Sequence, residues 1–175
     1  MTKRKIIPVR IVLKTVLLVG EGPSDKAFLE HLKGLYISRG CGIHVTIRTA
    51  YGKGPEHVID TVKRQARNAD FEWKTALLDK DIPWTPKVIK DAARNKVVLI
   101  GSTPCLEGLL LKILGQPVPD VCVTCKDRLY PRLSGRPTQP SSYAALFPKA
   151  VLETKRAMIT DLEKLIKILT ADGVN

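Results

Sequence analysis

The chain has 175 residues, enough for one domain with an ordinary core. Its apolar fraction of 44% and mean hydropathy near zero exclude a disordered or fibrous composition. Twenty-nine basic against seventeen acidic residues give a formal charge of +12 and a pI near 9.7. Such an excess points to a polyanionic partner, DNA or RNA before an acidic membrane surface.

The basic lead-in over residues 1–14 is too interrupted for a secretory signal, with Pro8, Arg10 and Lys14 inside its apolar part. No apolar run reaches the length of a membrane span. The four cysteines are irregularly placed, so the expectation is a cytoplasmic protein with reduced thiols. Val16–Gly20 reads as a buried strand, and Ser24 opens an amphipathic helix carrying Ala27, Phe28, Leu32, Leu35 and Tyr36. Gly40 and Gly42 end it. Residues 43–49 alternate as a second strand, Gly52-Lys53-Gly54-Pro55 turns, and a helix follows from Glu56. A third strand over 75–78 ends in Asp79-Lys80-Asp81. A helix over 86–94, a fourth strand over 97–100 and an apolar helix over 106–114 complete the pattern. Strand and helix in this alternation predict an α/β fold of Rossmann-like topology, a mostly parallel sheet with helices on both faces.

The core so defined spans 15–115. Residues 116–148 read as a basic, proline-rich loop, and 149–175 as one closing C-terminal helix. Its stripe of Leu152, Ile159, Leu162, Ile166 and Leu169 either packs on the sheet or forms a homodimer surface, packing being the preferred reading.

The carboxylates carry the functional signal. Glu21 follows the first strand, Asp79 and Asp81 end the third, and Glu107 follows the fourth. The carboxyl ends of parallel strands open on one rim, so these groups converge there, and Asp25 lies one helical turn beyond Glu21. Clustered carboxylates must protonate or share a cation, and hard oxygen donors select Mg2+ or Mn2+, one or two ions. An acidic pocket in a basic protein suits metal-dependent phosphoryl transfer on nucleic acid. Two nucleotide-cradling readings of Gly20–Ala27 fail. Asp25 stands where a dinucleotide fingerprint needs its third glycine, and a P-loop would need a second glycine and a Ser/Thr. Asp79-Lys80-Asp81 as a haloacid-dehalogenase-like nucleophile motif is a minor alternative, because that motif normally sits on the first strand of its domain.

Glu21-Gly22 after one apolar strand and Asp79-Lys80-Asp81 after another resemble the two motifs of a Toprim domain. The closer likeness is to the Toprim domains of OLD-family nucleases and RloB-like proteins. It rests on Glu21-Gly22-Pro23-Ser24-Asp25, on the glycine turn Gly52-Lys53-Gly54, and on Ser102-Thr103-Pro104-Cys105-Leu106-Glu107 with its leucine-rich helix. The likeness covers about residues 15–115. It implies a Toprim-like fold and metal-dependent cleavage of DNA or RNA, in defence against phage or mobile elements. Glu21, Asp79 and Asp81 would hold metal, with Glu107 and Asp25 completing a second position. Any nucleotide-driven control would come from a separate ATPase protein.

Lys112, Lys80 and Lys26 are the candidates for a cation that offsets charge on the phosphate. Lys112 is the first of these, although five helical residues do not bring it to the face of Glu107. Lys80, Lys126, Arg128, Arg132 and Arg136 are the candidate nucleic-acid contacts. Cys122 and Cys125 have half a zinc motif without a second pair and read as structural. Trp73 and Trp84 read as packing residues, with base stacking as the alternative for Trp84 beside Asp81. The alternatives to a nuclease are a non-catalytic nucleic-acid-binding partner with a degenerate Toprim core and a metal-dependent phosphatase.

Overall fold

The computed structural model describes residues 14–172. The basic lead-in read over 1–14 lies outside them except for Lys14, which opens the first strand. Four strands form an all-parallel sheet in the order β2-β1-β3-β4: β1 Lys14–Gly20, β2 Ile43–Thr49, β3 Trp73–Asp79 and β4 Val97–Ser102. Residues 16–19 of β1 are apolar throughout because this central strand is covered on both faces. Val16 and Leu18 pack towards α1 (Pro23–Tyr36), meeting Phe28, Leu29 and Leu32. Leu17 and Val19 pack the other way, onto Val58, Ile59 and Val62 of α2 (Gly54–Ala66) and Val88 and Ala92 of α3 (Pro86–Arg94). At the edge, β2 alternates, burying Val45 and Ile47 and exposing His44 and Arg48.

The face of α1 is the thicker one. It also carries α4 (Leu106–Ile113), α5 (Cys122–Leu129), α6 (Lys149–Arg156) and α7 (Thr160–Leu169). Two expectations change here. The segment 116–148 is not a bare loop, because it contains α5 and two 3-10 turns, Tyr130–Arg132 and Pro140–Tyr143. It is anchored by aromatic contacts: Phe28 meets the rings of Tyr143 at 5.5 Å and Phe147 at 5.8 Å, both edge-on. Buried His31 brings Nε2 to 2.8 Å from the Phe147 carbonyl, which only accepts, so that nitrogen carries the proton. The closing segment is two helices rather than one. Ile159, extended and buried between them, lets α6 pack towards α4 while α7 turns onto β4 and α1. All five residues of its apolar stripe are buried, so within the described chain the stripe is core. No helix among the described residues is long and apolar enough to cross a membrane.

Candidate metal centre

The connections place a crevice between β1 and β3. From β1 the chain leaves through α1 on one face towards β2, and from β3 it leaves through α3 on the other face towards β4. Such a reversal leaves a cleft at the carboxyl ends of the two strands. Glu21 follows β1, Asp79 ends β3, and the Asp79 N–H donates to Glu21 Oε2 at 3.4 Å.

Four carboxylates line one cavity of about 250 Å3, Glu21, Asp25, Asp79 and Glu107, and Lys126 and Tyr130 share its lining. Asp25, in the first turn of α1, is only 7% exposed and accepts the Gly22 N–H at 2.6 Å. Burial first, then the charges of Glu107 and Glu21, push its carboxyl up to about 7, although the Gly22 hydrogen bond works against them. Gly20 makes room for it, since a Cβ there would collide with Asp25 Cβ. Asp79 is pushed up to about 8, again by burial first and then by Asp25, Glu21, Glu107 and Asp81. Its Oδ1 accepts the N–H of Leu106 at 3.1 Å, so the start of α4 is fastened to the end of β3.

Glu107, 4% exposed, sits on α4 and accepts the Tyr130 hydroxyl at 2.5 Å. Burial and that carboxylate hold the phenol above its ordinary range. Gly108 is what lets α4 approach so closely, because a Cβ there would lie 2.5 Å from the Thr103 carbonyl oxygen. Among the described residues, Lys126, from α5, is the only cation lining the cavity. Partial burial alone would lower its pKa, but Glu107, Cys105 and Asp79 together hold it raised.

Asp81 stands outside this cavity and is exposed. Its turn is stapled to the end of β4: the Lys80 N–H donates to the Ser102 and Pro104 carbonyls, and the Asp81 N–H to Pro104, all at 2.9 Å. Asp79, Asp81 and Cys122 bring one ligand atom each to within 4.8 Å of one another, a group that could hold a metal ion. Cys122 Sγ lies 3.5 Å from Asp81 Oδ2, and burial pushes the thiol up to about 11. Asp79 thus belongs to both an inner group of carboxylates and an outer group with a thiol. Beside it, in register on β4, the Ser102 hydroxyl is buried without a partner among the described residues.

Other sequence candidates fall elsewhere. Lys112 is exposed, and five helical residues turn through about 500°, so it lies far around α4 from Glu107. Lys80 Nζ lies over the Trp84 ring at 5.6 Å, and Trp84 Nε1 donates to the Asp79 carbonyl at 3.1 Å. Lys26 lines a neighbouring cleft. Arg128, Arg132 and Arg136 are exposed and do not line the cavity. Tyr130 and Cys122 are the residues that sequence reasoning missed in this role. Each meets its acidic partner only across the fold, 23 residues from Glu107 and 41 from Asp81. The lone Cys-x-x-Cys spacing was a signal for Cys122, but it pointed to a thiol pair rather than to carboxylates. Comparison with protein-family models, with curated proteins and with solved structures returned no match.

Proposed function

We propose that the crevice between β1 and β3 is a divalent-metal centre for hydrolysis of nucleic-acid phosphodiester bonds. The observation that carries this reading is four carboxylates and one lysine lining a small cavity of a chain with net charge +12. Two of them are held near or above neutral pKa, so their common ionisation calls for a cation. The donor set fits a hard ion. Glu21, Asp25, Asp79 and Glu107 would hold Mg2+ or Mn2+ through oxygen alone, and the outer group of Asp79, Asp81 and Cys122 favours Mn2+ of the two, because Mg2+ does not take a thiolate. Bound there, such ions supply Lewis acidity and lower the pKa of an attacking water.

The chain's own residues do the rest. Tyr130 orients Glu107 through its hydroxyl, and the Leu106 N–H orients Asp79. Lys126 replaces Lys112 as the cation placed to offset charge on a phosphate. The exposed basic residues Arg128, Arg132 and Arg136 add sequence-independent attraction for a polyanion. Defence against foreign nucleic acid, with control by a separate ATPase protein, is the setting that the Toprim resemblance suggests.

The test is cleavage of plasmid, single-stranded DNA and RNA with Mg2+, Mn2+ or Ca2+. Cleavage is expected to need Mn2+ or Mg2+ and to fall at least about a hundredfold in Glu21→Gln and Asp79→Asn. Equal cleavage in excess chelator, or full activity in both variants, sinks the proposal. Salt-sensitive binding without turnover, unchanged by both substitutions, would instead leave a nucleic-acid-binding protein.

A further inference from the structure

Beside the carboxylate cavity lies a second cleft of about 420 Å3, walled by Pro23, Lys26, Thr49, Tyr51, Thr138 and Pro140. Pro23 lines both spaces, and Gly52, next to Tyr51, lines the cavity. The turn that carries Tyr51 is bolted to the residues at the end of β1. The Ala50 N–H donates to the Gly20 carbonyl at 3.0 Å and the Gly52 N–H to the Glu21 carbonyl at 2.8 Å. Four successive residues of this turn have positive φ: Tyr51 59°, Gly52 79°, Lys53 71° and Gly54 80°. Glycine suits that region and a tyrosine does not.

Tyr51 is nevertheless there and is 75% exposed, the most exposed large apolar side chain among the described residues. Packing therefore gives no reason for an aromatic at this strained position. A ring held on a rigid turn, with Lys26 in the cleft wall and exposed Lys53 two residues on, matches a base with its flanking phosphates. Glu30, the one acid in the wall among the described residues, lies 3.9 Å from Lys33 Nζ, which offsets its charge. We propose that this cleft binds an unpaired nucleobase on Tyr51, so that the strand presented to the carboxylate cavity is single-stranded. A duplex keeps its bases stacked on one another and offers none to a lone ring. The inference rests on the reading of the cavity as a phosphodiester-cleaving centre.

The experiment is binding of labelled oligo-dT, oligo-U and a short DNA duplex to the full chain in chelator, read by fluorescence anisotropy. Tyr51→Ala is expected to weaken both single strands about tenfold, or about 1.4 kcal/mol, and the duplex less than about twofold. Tyr51→Phe should bind as the parent does. Tyr51→Gly suits the turn backbone and guards against misfolding, and it should lose the same affinity as the alanine variant. Single-strand affinity unchanged in the alanine and glycine variants overturns the proposal, and so does equal loss on duplex, or no single-strand binding by the parent. Stacking through Tyr51 in a protein that never cleaves keeps this inference and sinks the nuclease reading. Cleavage indifferent to Tyr51 does the reverse.

Discussion

Two charged hollows flank the same sheet, and the larger is the quieter. The groove between α2 and α3, about 550 Å3, holds Glu56, Asp60 and Asp91, and each of these faces a lysine. Lys63 Nζ lies 3.1 Å from Asp60 Oδ1 and 2.9 Å from Asp91 Oδ2, and Lys87 Nζ lies 2.9 Å from Glu56 Oε2. The Lys63 hydrogen bond holds the Asp91 carboxyl below its usual range. In the cavity between β1 and β3 the shifts have the opposite sign, because burial first, and then the charge of neighbouring carboxylates, raises Asp25 and Asp79. Chemistry is indicated by unbalanced charge that the fold keeps despite its cost, and volume is no guide to it.

The largest effect that separates the two hollows is on stability against pH without divalent ions. A carboxyl raised from 3.8 to about 8, as in Asp79, binds its proton more tightly folded than unfolded. Its contribution is therefore present below about pH 4 and lost as pH rises to about 8, and for Asp25 to about 7. Thermal unfolding in chelator should show this loss. Asp79→Asn or Asp25→Asn should recover about 2–4 kcal/mol at pH 8. The shifts share the same repulsions, so the double variant should gain less than the sum. Added Mn2+ should stabilise the parent and do little for either variant. An apoprotein whose melting temperature is level from pH 4 to 8 would break the contrast.

Next is Gly108→Ala, which presses a Cβ against the Thr103 carbonyl and Pro104 Cδ at 2.5 and 2.6 Å. It should cost about 1–3 kcal/mol in chemical denaturation and weaken Mn2+ binding by displacing Glu107. Tyr130→Phe removes one hydrogen bond to that carboxylate and should cost about 1 kcal/mol. Titration with Mn2+ should show a severalfold loss of affinity, because Glu107 is then free to turn. Lys63→Met should have the smallest effect, a slight loss of melting temperature with metal dependence untouched, since its pairs are solvent-screened. A strong effect of Lys63→Met on metal dependence would move attention to the larger groove.

Local rules account for much of the fold. Residues 43–49 form β2 because alternation suits a half-buried edge, and Pro86–Arg94 forms α3 behind the cap that Thr85 Oγ1 makes to the Val88 N–H at 3.2 Å. The proline-rich stretch hid α5, whose eight residues bury only Cys125 and Leu129, too weak a stripe to read. The break at Ile159 was hidden because the apolar spacing runs on across it, with no glycine or proline to mark it.

The chain by itself determined that Glu21, Asp79 and Glu107 meet, because parallel strands deliver their carboxyl ends to one rim. Asp25 follows from its place in the first turn of α1. Only the tertiary structure decided that Lys126 rather than Lys112 lines the cavity with them, that Tyr130 holds Glu107, that Cys122 stands beside Asp81 while Asp81 itself lies outside the cavity, and that Tyr51 is held at the rim. Strand ends obey a rule of topology that can be read along the chain. The way α4, α5 and the glycine turn fold back over those ends depends on packing between distant segments, where no local spacing points to the partner.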